Sequence, residues 1–311
     1  LTPSLVGSEG GKARMTVVAG TPDKHHPVAG IAWMLSAACC FAASLSLVKA
    51  LQDDGMTVFQ LVLFRQIFGT LVFAPIIFKA GLTTLKSAVL PRHFSRATLG
   101  FLGMCSSYYS LTLINVPDSI ALQFTLPFFT MFCAIWLLKE KLQSHRVIAT
   151  IVGFVGVLII VRPGFAILNQ GVPLALAAAA FYAASDTMAR WVARNDPIPS
   201  IMMWNFVFTI PLALIPSVVW WVTPPIDLWW QLLGFCISGI GAQFCLTRSF
   251  GLAEASLVSP ILFIRLPLIA AIAFFAFGQT TSIWTWIGAA VIFIAATWMM
   301  RVETRPPVIK S

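Results

Sequence analysis

Phe41-Ala42-Ala43-Ser44-Leu45-Ser46-Leu47-Val48-Lys49 and Tyr182-Ala183-Ala184-Ser185-Asp186-Thr187-Met188-Ala189-Arg190 lie 141 positions apart. Each opens on an aromatic residue, continues Ala-Ala-Ser, and places a cation five residues after the serine. Working outward, Leu99-Gly100-Phe101 matches Leu233-Gly234-Phe235 at an offset of 134, and Leu111-Thr112 matches Leu246-Thr247 at 135. Ala149 and Gly156 match Gly288 and Ala295 at 139. Any one match between apolar segments is weak. Their preserved order and near-constant offset mark an internal duplication.

What is duplicated follows from composition. Of 311 residues, 59% are hydrophobic and only 10% charged, against about 25% charged in a soluble domain. So few charges cannot cover a water-facing surface, so lipid is the expected solvent. A spanning helix needs roughly 20 apolar residues. Ten such stretches are expected, at 28–50, 58–78, 95–114, 118–138, 146–161, 172–193, 198–221, 230–250, 255–277 and 282–300. The predicted fold is therefore an all-α membrane protein of ten transmembrane helices in two five-helix repeats, 28–164 and 172–301. An odd number of spans carries the chain to the opposite face, so the second repeat enters inverted. Inverted repeats recur in secondary transporters, with the site near the midplane where the repeats meet.

Residues 1–27 are polar and are expected to be a disordered tail, followed at the far end by a second tail over 302–311. The first apolar run lacks a cleavage pattern, and Met15 is a candidate natural start. The net charge of +9 does not point to nucleic acid, because the cations fall in short runs between apolar segments. Sixteen of the 20 Lys and Arg fall on one side, including the tails and the loops after spans 2, 4, 6 and 8. Lys49 and Arg162 are the two on the other, and Arg65 and Arg265 lie inside spans. This bias places both tails in the cytoplasm, in an inner-membrane protein. The six cysteines lie in apolar runs and the four histidines in polar ones, with no metal spacing and no phosphate loop. No cofactor is expected. An intramembrane enzyme would need paired acids or a nucleophile with a base at depth. Asp186 is the single acid well inside a span, so an enzyme is not expected.

The pattern resembles the drug/metabolite transporter superfamily in its EamA branch. Phe64-Arg65-Gln66, Asp118-Ser119-Ile120-Ala121-Leu122-Gln123-Phe124-Thr125-Leu126-Pro127 and Glu140 carry the likeness in the first half. Gly153-Phe154-Val155-Gly156-Val157 through Arg162-Pro163-Gly164 completes it, and Ala255-Ser256-Leu257-Val258-Ser259-Pro260 and Phe277-Gly278-Gln279 carry it in the second. Gln279 stands where the family's motif has Glu, so a role of that carboxylate does not transfer. The resemblance implies alternating-access transport of amino acids, amino-acid-like metabolites or amphipathic drugs across the inner membrane, with export favoured and proton coupling available. Relatives with similar Phe-Arg and Arg-Pro-Gly segments are S-adenosylmethionine carriers, which makes uptake of that compound the alternative. A lipid flippase or membrane receptor is the alternative from another class. The expected partners are a small molecule and the bilayer, in a monomer or weak homodimer.

Candidate site residues follow from polarity at depth. Arg65 lies about 10 Å into span 2 at 1.5 Å per residue, and Arg265 near the centre of span 9. A charge there costs at least about 2.5–3.5 kcal/mol, so it should face a cavity or a partner. Each either holds a substrate carboxylate or is a structural tie to backbone carbonyls. Ser119, Gln123, Pro127 and Thr130, spaced 4, 4 and 3, form a polar stripe on one face of span 4. Such a stripe must be buried against protein or water. Pro127 frees a backbone carbonyl there, and Pro267 does so in span 9. Tyr108, Tyr109, Trp204, Asn205 and Gln243 are candidate wall residues. Asp186 is the proton-coupling candidate, although its spacing from Arg190 also reads as a structural ion pair.

Overall fold

The computed structural model describes residues 27–81, 85–138, 144–161, 170–193, 196–252 and 259–303. Most of the N-terminal tail, Glu140, Arg162-Pro163-Gly164, the stretch 255–258 and most of the C-terminal tail lie outside these. Eleven α-helices make up the described chain: α1 Pro27–Asp53, α2 Val58–Ala80, α3 Leu90–Leu113, α4 Val116–Gln123, α5 Leu126–Leu138 and α6 Ser144–Val161 in the first half. The second half has α7 Gly171–Val192, α8 Ile198–Val219, α9 Trp229–Leu252, α10 Arg265–Phe277 and α11 Ile283–Glu303. A 3-10 segment, Ser259–Ile264, leads into α10.

Five described helices are long and apolar enough to cross a membrane, and shorter apolar helices cover 147–161, 261–277 and 283–298. The expected spans therefore correspond to helices, with two corrections of form. Span 4 is broken into α4 and α5, and span 9 into the 3-10 segment and α10. Pro127 and Pro267 sit in the first turns of α5 and α10, where a missing N–H costs nothing, so each helix restarts rather than kinks. Thr125 bridges the first break: its hydroxyl donates to Leu122 O at 2.7 Å, and its carbonyl accepts from Phe128 N at 3.0 Å. The second correction concerns span 3. The helix begins at Leu90, five residues before the expected start at 95, with Pro91 in its first turn; it takes in Arg92 and carries Arg96, counted with the loop cations, into its second turn.

The repeats pack as a two-fold exchange requires. α1 lies along α9, and its repeat-mate α7 lies along α3, the repeat-mate of α9. α2 pairs with its own repeat-mate α8, and α6 with α11. The α6–α11 seam is built of small residues. A Cβ on Gly156 would come within 2.9 Å of Gly288 O, and one on Gly288 within 2.5 Å of Gly156 O. Ala149 and Ala295, the repeat counterparts, are buried. Close backbone approach through small residues is how helices associate where lipid supplies no hydrophobic drive.

Short connections place helix ends at two opposite ends of the bundle. At one, the basic end, α2 gives way to α3 and α7 to α8. At the other, α1 turns into α2 through Gly55 at φ +93°, and α2 starts on a reciprocal Thr57–Gln60 capping box. Trp220, Trp221, Trp229 and Trp230 are exposed at that opposite end, as expected of a headgroup-level belt.

Candidate functional site

A cavity of about 660 Å³ opens between the halves, within the 300–1,000 Å³ range of small-molecule sites. Both repeats line it. α2 contributes Arg65, α3 contributes Arg96, Ser107 and Tyr108, and the α4–α5 junction contributes Gln123, Phe124 and Pro127. From the other half come Tyr182, Asp186 and Arg190 of α7, Asn205 of α8 and Gln243 of α9. Phe263 and Arg265 come from the second break.

Helical periodicity decides which neighbour points inward. Tyr108 lines the cavity and is 2% exposed, while Tyr109, 100° further round the helix, is 52% exposed on the outer surface. Trp204 likewise turns away, donating to Leu85 O at 3.1 Å and stacking on Phe208 at 4.9 Å. Its neighbour Asn205 faces the cavity instead. Tyr109 and Trp204 are therefore not among the lining residues. Arg65, Arg265, Gln123, Pro127, Tyr108, Gln243 and Asp186 are. α2 and α8 start 140 residues apart, which makes Asn205 the repeat counterpart of Arg65.

Arg65 is held by a hydrogen bond from Nη1 to the Tyr108 hydroxyl at 2.8 Å. Gly239 leaves the space it occupies, since a Cβ there would lie 3.2 Å from Arg65 Nε. Arg265 stacks its guanidinium over Phe124, 4.7 Å from the ring centroid. Its Nε is buried without a hydrogen-bond partner among the described residues. Phe124 in turn packs on Phe263 at 4.1 Å and Phe263 on Phe293 at 4.3 Å, so the two helix breaks meet through aromatic rings. Gln123 is positioned by two hydroxyls: Ser107 donates to its Oε1 at 3.2 Å, and its Nε2 donates to Ser119 at 3.2 Å. Ser119 is itself buried and paired with Ser110, so the expected stripe divides into a supporting part on α4 and a lining part at Gln123, Pro127 and Thr130.

Asp186 and Arg190 are exposed although they line the cavity, and no ion pair joins them among the described residues. Both groups face the cavity, where Asp186 lies within electrostatic reach of Arg96 and Arg190. Phe73, Arg96, Met131, Met202 and Leu246 carry the lining from mid-depth toward the basic end. The opposite end is closed. Phe59 stacks on Trp220 at 5.8 Å, Phe64 meets Trp221 and Trp229 at 6.1 Å, and Gln60 Nε2 donates to Val222 O at 2.7 Å. Thr285 donates to Asp118 at 2.6 Å, and Val116 N donates to Gln279 Oε1 at 3.1 Å. Those last two bonds join α4 of one repeat to the second half.

Sequence reasoning missed Arg96, Tyr182, Ser185 and Arg190 as lining residues. Tyr182, Ser185 and Arg190 lie in the duplicated stretch itself, whose matching positions 41 and 44 also line the cavity. That coincidence was the available signal. Arg96, at the edge of the expected span 95–114, was counted among the loop cations and so gave no such signal.

A model of the EamA-like transporter family matches residues 28–162 and again 169–301. An S-adenosylmethionine uptake transporter from Rickettsia felis is 27% identical over 89% of this chain and 94% of its own. Riboflavin transporters from Vibrio cholerae and Brucella anthropi are each 27% identical, the first over 91% of this chain and 96% of its own, the second over 74% and 83%. A solved crystal structure superposes with a TM-score of 0.57 at 17% identity, covering 86% of this chain and 99% of the other. That match speaks to the fold alone.

Proposed function

The chain belongs to the EamA-like transporter family, and on that premise we propose that this small-molecule transporter is a secondary carrier working by alternating access in the cell inner membrane. The observation that carries the reading is the cavity between the repeats, reached from the basic end and closed at the other. Inverted repeats rock about such a site and expose it to each side in turn. Arg65, Arg265, Gln123, Tyr108 and Gln243 contact substrate in this scheme, Pro127 breaks the helix that walls it, and Asp186 is the group available to a coupling proton. The distribution of Lys and Arg supports cytoplasmic tails, so the cavity opens to the cytoplasm in this conformation.

The substrate is a small organic metabolite. Export of an amino acid or amino-acid-like compound is one form of this reading, supported by access from the basic end. Uptake of a ring-bearing compound is the other, and Phe41, Phe73, Phe124, Phe206 and Phe263 on the wall favour it. The relatives named for S-adenosylmethionine and riboflavin also carry heterocycles. Saturable flux in proteoliposomes, against a panel of amino acids, S-adenosylmethionine and riboflavin, tests the carrier reading. Flux that rises linearly with concentration for every compound would remove it.

A further inference from the structure

The cavity is electrically unbalanced. Its charged lining consists of Arg65, Arg96, Arg190 and Arg265 against Asp186, a surplus of three positive charges among the described residues. The other described acids do not line it. Asp53 pairs with Lys49, Asp196 with His93, and Asp118 accepts from Thr285. Asp54 and Asp227 are exposed outside the cavity lining.

The two deepest cations are the least compensated. The group that accepts the hydrogen bond from Arg65 is a neutral phenol. Arg265 has an aromatic face and a buried Nε without a partner among the described residues. Both lie within electrostatic reach of Tyr182, which places them around one part of the cavity. α5 begins at the cavity wall, at Leu126 and Pro127, and places a positive helix end there. A site made to accept a cation would not collect guanidinium groups around a helix N-terminus. A phosphate, or a pair of carboxylates, is the kind of group that guanidinium forks bind most strongly. The rings of Phe124 and Phe263 offer a stacking surface beside them.

Resting on the carrier reading, we propose that the site selects a net-anionic substrate: a planar ring compound bearing a phosphate or a pair of carboxylates, held between Arg65 and Arg265. Neutral ring compounds bind through the aromatic wall alone, and net cations are disfavoured. The charge of S-adenosylmethionine, with its sulfonium, makes it a poor ligand of this chain.

Two pairs of probes isolate charge at constant ring structure. Riboflavin 5′-phosphate differs from riboflavin by the phosphate, and S-adenosylmethionine differs from S-adenosylhomocysteine by the sulfonium methyl. Binding to the purified full chain is read by thermal stabilisation. Riboflavin 5′-phosphate is expected to bind ~10-fold or more tighter than riboflavin, and S-adenosylhomocysteine tighter than S-adenosylmethionine. Arg265→Met should erase the phosphate preference. Arg265→Lys, which keeps the charge and loses the fork, should retain a reduced preference and guards against a variant that fails to fold. Equal affinities within the flavin pair, preference for the cation, or no response to riboflavin 5′-phosphate overturns the proposal. Saturable flux of S-adenosylmethionine or riboflavin without anion preference would leave the carrier reading standing and remove only the anion.

Discussion

At the residue scale, the site depends on which of two adjacent side chains turns inward. Tyr108 points in and accepts from Arg65, and Tyr109 points out. Tyr108→Phe removes a hydrogen bond to a charged group, a bond worth about 1.5–3 kcal/mol. Transport affinity should fall ~10-fold or more, while Tyr109→Phe leaves it unchanged. Concentration dependence of initial flux reads the difference, and equal effects would show that Tyr108 does not serve the site. Arg265 carries the sharper prediction. Arg265→Met should abolish flux while the monodisperse yield in detergent is kept, because an apolar side chain of similar length fills the place beside Phe124. Normal flux would rule out a substrate role, and loss of the folded protein would make Arg265 a structural tie. Gln279 shows a residue whose work survives a change of type. Its carbonyl oxygen accepts from Val116 N and so caps α4. Gln279→Glu should be neutral to stabilising, since a carboxylate suits a helix N-terminus.

At the element scale, two devices matter: the broken helices and the glycine seam. Gly278 ends α10 in the left-handed region at φ +63°, and Gln279 N donates back to Ala273 O at 3.0 Å. This turn aims the Gln279 side chain at α4. The seam between α6 and α11 has no room for larger residues. Gly288→Val would set a Cβ against Gly156 O, and overpacking of this kind costs about 1–3 kcal/mol. The variant should lose thermal stability, measured as the fraction remaining monodisperse after heating, while substrate preference is unchanged. Unaltered stability would mean that the seam opens at little cost.

At the scale of the whole molecule, one cavity joins two similar halves and is open at one end. Its surplus positive charge bears on the transport cycle. Closing the site over an empty, uncompensated pair of arginines means desolvating two cations, which costs several kcal/mol per ion. A bound anion offsets that cost. The loaded carrier should therefore reorient faster than the empty one, and uptake into proteoliposomes should rise several-fold when unlabelled substrate is present inside. Equal rates with and without internal substrate would show that the empty carrier moves freely.

Much of this was legible in the chain. Ten apolar stretches, the 141-residue echo of Phe41–Lys49 and the asymmetry of Lys and Arg determined an α-helical membrane protein of two inverted halves. Lipid demands apolar length and internally satisfied backbone, and both are one-dimensional properties. Arg65, Arg265 and Gln123 were readable because polarity at depth is costly wherever it faces. The side of the helix was not readable in uniformly apolar surroundings, where Trp204 and Asn205, or Tyr108 and Tyr109, carry no periodic contrast. Nor was the role of Arg96, since a helix that begins five residues earlier moves a cation from the edge of a span into its second turn and onto a cavity wall. Those choices belong to the tertiary structure, because only the packing of one half against the other determines which faces meet and which enclose space.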